Sequence, residues 1–172
     1  MSFSEFVMEH LLLLIFPAAM VLAAVLDIGT LTIPNRLTGA LALAFLPAAL
    51  FMGMGWAELG LHLAVGAGVL LTGMALFAGG YMGGGDAKLM AAAALWIEWQ
   101  SLAAFALTAA LAGAVLGVLI WLFRSFPLPV FLAQQGWVMR LHDKDEGIPY
   151  AVALCAGALL VFPETRWIEL AV

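Results

Sequence analysis

Apolar residues fill most of this chain in long runs, which short polar or glycine-rich segments separate. A helix needs about 20 apolar residues to cross a membrane, although a shorter one is accommodated when neighbouring helices bury it. The runs predict six membrane-spanning helices, over residues 11–28, 37–52, 59–78, 86–96, 103–123 and 148–162. The fourth run is short, so we expect either a partial helix inside the bundle or one that continues past Glu98.

The composition agrees with this pattern. Hydrophobic residues make up 66% of the chain and charged residues 10%, whereas a soluble domain is roughly half apolar and a quarter charged. We therefore expect an all-α, polytopic membrane bundle in which residues 1–172 form one integral-membrane domain surrounded by lipid. The net charge of −5 argues against nucleic acid as a partner, because no basic stripe is present to neutralise phosphates.

The residue types present do not predict a metal or a cofactor. The lone cysteine, Cys155, excludes an intrachain disulfide and a multi-cysteine zinc site. The three histidines, His10, His62 and His142, are scattered along the chain. His142 lies in a charged run, where we expect it to be solvated.

The basic residues predict an orientation in the membrane. Five of the six, all but Arg166, follow odd-numbered runs: Arg36, Lys88, Arg124, Arg140 and Lys144. The positive-inside rule then makes those connections cytoplasmic and puts both chain termini outside. Glu5 and Glu9 precede the first run where a cleaved signal peptide carries Lys or Arg, so we expect this helix to be retained. Trp56 and Trp167 are expected at the membrane interfaces.

Two further segments have a predicted packing role. The polar connection between the last two runs includes residues 131–141, which we expect to lie flat at the membrane interface. Gly113 and Gly117 are expected to form a contact face of small residues in the fifth helix.

Two aspartates lie at the ends of apolar runs on the predicted cytoplasmic side. Asp27 ends the first run, and Asp86 begins the fourth after a glycine-rich segment. An ionisable group beside hydrocarbon costs free energy and usually has a function. If the two carboxyls lie within a few ångströms, they cannot both stay ionised. One then holds a proton while the other activates water, which is the arrangement that an aspartyl dyad needs to hydrolyse a peptide.

Each of these features also has a structural explanation. Asp86 is equally compatible with an N-cap, whereas Asp27 is unfavourable at a helix C-terminus. The same helix-end argument predicts that Asp27 is the neutral partner and Asp86 the anion. Lys88 is expected to reach lipid headgroups. The glycines lack the Gly-Lys-Ser/Thr ending of a phosphate-binding loop.

Three motifs together resemble the type IV prepilin peptidases, intramembrane aspartyl proteases distantly related to presenilin. The sequence GGGDAKL at residues 83–89 resembles their GxGD motif. Asp27 with the downstream Ile33-Pro34-Asn35 resembles the region of the family's first aspartate. The sequence GIPY at residues 147–150 resembles the start of the family's last helix.

The resemblance implies a six-helix aspartic endopeptidase of the bacterial inner membrane, which cleaves the basic leader of pilin-like precursors at the cytoplasmic face. Asp27 and Asp86 would be its catalytic pair. The resemblance gives supporting roles at the substrate or in the loops to Pro34, Asn35, Gly83, Gly85, Lys88 and Pro149.

The larger members of that family also N-methylate the product and carry paired CxxC motifs, which this sequence does not contain. It therefore resembles the compact form found with Flp/Tad-type pili, for which methylation is not expected. The alternative is a small transporter or a pilus-assembly subunit that uses the two aspartates as a proton or cation relay. A relay needs ionisable groups that connect both faces of the membrane.

Overall fold

The computed structural model describes the backbone of residues 3–170 and the side-chain surroundings of residues 7–168. Its main helices are α1 Phe3–Thr30, α2 Asn35–Phe51, α3 Trp56–Ala78, α4 Gly84–Trp96, α5 Leu102–Ser125 and α8 Ala151–Val161. Short helices connect or follow them: α6 Val130–Ala133, α7 Gly136–His142, a 3-10 turn Phe162–Glu164, and α9 Arg166–Leu170. The predicted all-α membrane bundle is confirmed. The predicted location of the termini concerns residues 1–2 and 171–172, which lie outside the described residues, as does the side chain of Glu5.

Three of the helices are long and apolar enough to cross a membrane by themselves: α1, α3 and α5. Helices α2 and α8 are apolar but shorter. Helix α4 has 13 residues, which span about 20 Å, less than the roughly 30 Å of hydrocarbon in a bilayer. It ends at Trp96, before Glu98, and most of its side chains are buried. The alternative of a partial helix inside the bundle is therefore the one observed.

Small residues let α3 and α4 approach each other closely. A Cβ on Gly73 would lie 2.9 Å from the Cβ of Ala87, and one on Gly66 would overlap the side chain of Leu95. Helices in lipid associate through this kind of backbone approach, because burial from water drives little of their packing.

An aromatic cluster fills the core at the end of α4. Trp96 donates its Nε1–H to the carbonyl of Leu41 at 3.1 Å, and Trp167 donates to the carbonyl of Trp96 at 2.7 Å. Trp167 is only 1% exposed, so its predicted place at the membrane interface is wrong. The 3-10 turn after α8 returns the chain to the bundle and buries this ring. Trp56 is exposed, as an interfacial residue should be.

The connection between α5 and α8 is two short helices and not the single flat segment predicted. Val138 and Leu141 on α7 are buried. Arg124, in the last turn of α5, donates hydrogen bonds to the carbonyls of Leu141 and Gly147, both at 2.8 Å. The guanidinium thereby holds both ends of the segment that leads into α8.

His142 is not the solvated residue that its charged neighbours indicate. Its ring packs edge-on against Phe123 at 5.2 Å, and its Nδ1 is buried without a hydrogen-bond partner.

The predicted small-residue face on α5 is half right. A Cβ on Gly113 would lie 2.5 Å from the ring of Tyr150, whereas one on Gly117 would meet nothing within 4 Å.

Candidate active site

Asp27 and Asp86 line the same cavity, which has a volume of about 300 Å³. Asp27 lies in the last turn of α1 and is 5% exposed. Asp86 lies in the first turn of α4 and is partly buried. The remaining lining comes from the segments beside the two helix ends: Leu31, Thr32, Ile33, Asn35, Gly83, Gly84 and Gly85.

The start of α8 reaches the carboxyl of Asp27. The backbone N–H of Ala151 donates a hydrogen bond to Asp27 Oδ2 at 3.0 Å. Ala151 is the first residue of α8, where N–H groups have no partner within the helix. The buried ring of Pro149 lies just before this turn, and its carbonyl accepts the N–H of Val152 at 3.1 Å. The Gly147–Tyr150 motif therefore serves to present a helix N-terminus to Asp27.

The glycines before Asp86 leave room for its carboxyl. A Cβ on Gly83 would lie 2.7 Å from Asp86 Oδ2, and one on Gly85 would lie 3.3 Å from the Cβ of Ile33. Gly85 thus lets the start of α4 approach the loop that follows α1. Gly83 is the N-cap of α4, and no side-chain capping bond forms there. The interpretation of Asp86 as an N-cap is therefore wrong, since it is the third residue of the helix.

Lys88 and Asn35 join α4 to α2. Lys88 Nζ donates to Asn35 Oδ1 at 2.9 Å, a contact between the two helices that its predicted reach to lipid headgroups does not include. Pro34 is exposed and begins α2, where its carbonyl accepts the N–H of Leu37 at 2.9 Å. Asn35 lines the cavity directly. Of the predicted supporting residues, Asn35, Gly83 and Gly85 line the cavity, and Lys88 reaches it through Asn35.

Sequence reasoning missed three residues of the site. Leu31 has a φ of 51°, a left-handed conformation that is uncommon for a residue with a Cβ, and its N–H bonds to the carbonyl of Asp27 at 2.7 Å. Tyr150 is partly buried, immediately before Ala151, and its ring packs against Gly113 of α5. Ala151 acts through its backbone, so no residue type signals it. The GIPY sequence marked the segment but not its contact with Asp27.

The site combines two carboxyls that line one small cavity with a helix N-terminus that bonds to one of them. Such a site can hold a water molecule between an anionic and a protonated carboxyl. Within residues 7–168, no group of three or more His, Cys, Asp or Glu side chains is placed to hold a metal ion.

Comparisons with known proteins identify the family. Residues 14–118, which include both aspartates, match the type IV leader peptidase family. The prepilin leader peptidase/N-methyltransferases of Aeromonas salmonicida and Aeromonas hydrophila are each 41% identical over 66 residues, which are 35% of this chain and 23% of theirs. The chain thus matches about a quarter of the length of these curated relatives. No solved structure matches significantly. Because the family match spans more than half of its residues, the chain belongs to the type IV leader peptidase family.

Proposed function

We propose that this protein is an aspartic endopeptidase that removes the leader peptide from type IV pilin-like precursors, with Asp27 and Asp86 as its catalytic pair. The observation that carries the proposal is the single cavity onto which two distant helix ends bring both carboxyls. Family membership and the names of the curated relatives support leader peptides as the substrate class. The Flp/Tad type of precursor stays a prediction from the resemblance of the sequence.

In the proposed reaction the anionic carboxylate takes a proton from water, and the water oxygen attacks the scissile carbonyl carbon. The protonated carboxyl gives its proton to the carbonyl oxygen, which forms a neutral tetrahedral gem-diol. Collapse of this intermediate breaks the C–N bond, and the proton taken from water passes to the leaving amine. The hydroxyl proton returns to the other carboxyl, so the pair begins the next turnover with one shared proton.

The hydrogen bond from Ala151 favours Asp27 as the anion. A hydrogen bond to a charged group contributes about 1.5–3 kcal/mol, whereas a helix dipole near an exposed charge contributes about 0.3–1 kcal/mol. The dipole of α4 also favours a negative charge on Asp86, but no side-chain capping hydrogen bond forms at the start of that helix. We therefore reverse the assignment that the helix ends of α1 and α4 predict. Asp27 is the proposed base, and Asp86 holds the proton and polarises the carbonyl.

The distribution of charge supports a cytoplasmic site at a bacterial inner membrane. Arg124, Arg140 and Lys88 lie on the segments around the cavity end, and Arg140 donates to the carbonyl of Gly29. Arg166 pairs with Glu58 at 2.8 Å near the start of α3, which is the opposite end of that helix from the cavity. Reporter fusions after Arg36 and Lys88 should read as cytoplasmic, and a fusion after Trp56 as periplasmic. The reverse pattern would contradict the orientation.

A proton or cation relay is less consistent with the interior of the bundle. The core between the cavity and the opposite end is apolar and aromatic, with Phe16, Phe45 and Trp96 fully buried. Glu58 and Glu98 both bond to Arg166 at the far end. A relay through this core would need ionisable groups or water at hydrogen-bond spacing, whereas hydrolysis needs only the cavity.

Co-expression with candidate precursors tests the proposal. We expect a tagged Flp-type pilin precursor to become shorter by the length of its leader in cells that express this chain. Asp27→Asn and Asp86→Asn should leave the precursor intact, while the control Glu164→Gln, at an exposed carboxylate away from the cavity, should process it normally. Processing by either active-site variant, or none by the unmodified chain with any pilin-like precursor, would contradict the proposal.

A further inference from the structure

A second cavity of about 420 Å³ lies beside the candidate active site on the outside of the bundle. Helices α2 and α3 form its walls and α4 forms its floor. Its lining is apolar and mostly small, including Gly39 and Ala42 on α2, Ala67 on α3, and Ala91 on α4. We call it the α2–α3 groove.

Asn35 lines both the groove and the catalytic cavity, so the two are neighbours at this residue. Lys88, which donates to Asn35, also lines the groove at that end. The polar residues of the groove are thus collected beside the active site, and its deeper part is apolar down to Leu95. A peptide that leaves the cavity past Asn35 would therefore lie next to the groove.

The dimensions fit the first turns of a helix. From Asn35 to Ala42 the wall rises seven residues, which is about 10 Å at 1.5 Å per residue. This is about two helical turns and a third of the roughly 30 Å hydrocarbon core. Small residues along a groove let another helix backbone approach closely in lipid.

A neighbouring groove lacks this connection. It has a larger volume of about 490 Å³ and lies between α3 and α5, where Gly68 and Val69 form part of its lining. It shares no lining residue with the catalytic cavity. Both grooves are apolar, but only the first shares a lining residue with the catalytic cavity. The second groove is therefore a matched control for the first.

We propose that the α2–α3 groove binds the apolar, membrane-spanning segment of the substrate on the side of the scissile bond that continues into the membrane. The proposal rests on the proposed peptidase function. It adds that the enzyme recognises its substrate at two places: at the cavity, and within the bilayer, where small residues of the groove contact the substrate helix. About seven residues following the cleaved bond lie in the groove, with Asn35 and Lys88 marking where the extended chain becomes helical.

Photo-crosslinking tests the position of the segment without requiring cleavage. A p-benzoylphenylalanine is placed at residue 39 or 68 of the Asp86→Asn variant, and a tagged Flp-type pilin precursor is co-expressed. A Cβ at Gly39 or at Gly68 meets nothing within 4 Å, so both sites accept a side chain. We expect residue 39, and not residue 68, to crosslink to the apolar segment that follows the leader. Equal crosslinking at both positions, none at residue 39, or a crosslink there to lipid or leader alone would overturn the proposal.

Cleavage kinetics give a second readout. Gly39→Leu should slow cleavage of the same precursor by about tenfold or more, because its side chain fills the groove. Gly68→Leu should stay within about twofold of the unmodified chain. If Gly39→Leu does not fold in detergent, Ala67→Leu fills the groove from the opposite wall. Unchanged cleavage by a folded Gly39→Leu or Ala67→Leu contradicts the groove alone, whereas loss of cleavage by the unmodified chain contradicts the peptidase function itself.

Discussion

The N–H of Ala151 and the carboxyl of Asp27 form a 3.0 Å hydrogen bond that ties the last main helix to the end of the first. This contact gives α8 a chemical role at a site whose two acids come from α1 and α4. The donor favours a negative charge on Asp27, so we expect the shared proton on Asp86.

The stability of two isosteric variants should reflect this asymmetry. Asp27→Asn replaces a charge-assisted hydrogen bond with a neutral one and should destabilise the protein by about 1–2 kcal/mol. Asp86→Asn resembles the protonated form already present and should be nearly neutral. Thermal unfolding in detergent, with both variants at the same protein concentration, compares them. A larger loss for Asp86→Asn would mean that Asp86 is the resting anion.

Gly83 should be needed for the position of the Asp86 carboxyl. In Gly83→Ala the new Cβ would lie 2.7 Å from Asp86 Oδ2, so the carboxyl has to move. A misplacement of about 1 Å costs roughly 100-fold in rate, and we expect a loss of that order in precursor cleavage. Gly60→Ala, where a Cβ meets nothing within 4 Å, should keep its activity. Equal activity of the two variants would show that the carboxyl tolerates the displacement.

Lys88 and Asn35 should act as a pair. Each of Lys88→Met and Asn35→Ala removes the 2.9 Å bond between α4 and α2. Each should slow cleavage, because the start of α2 at the cavity is then held less firmly. The double variant should be about as slow as the slower single variant, because the bond is lost only once. The three cleavage rates measured with one precursor form the test. Multiplying effects would show that the two side chains act independently.

The acidic residues before α8 should recognise basic leaders. Asp143, Asp145 and Glu146 are exposed, so their attraction for Lys or Arg is screened by salt beyond about 10 Å at 0.1 M. Replacing all three with Ser should slow processing most at low ionic strength, and the difference should shrink as salt is added. The control replaces two glutamates away from the cavity. Glu58 lies in the first turn of α3, and Glu164 lies in the 3-10 turn before α9. Processing that is unaffected at every salt concentration would leave this cluster as a solvated connector.

The sequence was sufficient to predict the helices and the two aspartates. Apolar runs bounded by glycine, proline or charge gave six helix positions close to those observed, since a membrane span requires such a run. Asp27 and Asp86 stood out because carboxyls rarely border hydrocarbon. The lateral order of the helices could not be predicted in this way, because hydropathy does not specify which helix faces meet.

Most of the contacts that the sequence did not predict depend on how the helices pack against one another. Lys88 bonds to Asn35 because α4 lies beside α2. Trp167 is buried because the chain turns back after α8. His142 packs on Phe123 because α7 folds under α5. The contact of Ala151 with Asp27 belongs to the same group, and its backbone donor carries no sequence signal.

The catalytic pairing of Asp27 and Asp86 is tested most directly by cleavage of a pilin-like precursor with purified protein in liposomes. The unmodified chain and the control Glu164→Gln are compared with Asp27→Asn and Asp86→Asn at equal amounts of folded protein. We predict that the first two release the leader and that both active-site variants fall below about a thousandth of that rate, because each has lost a group that transfers a proton. Cleavage by either active-site variant at a rate near that of Glu164→Gln would contradict the dyad.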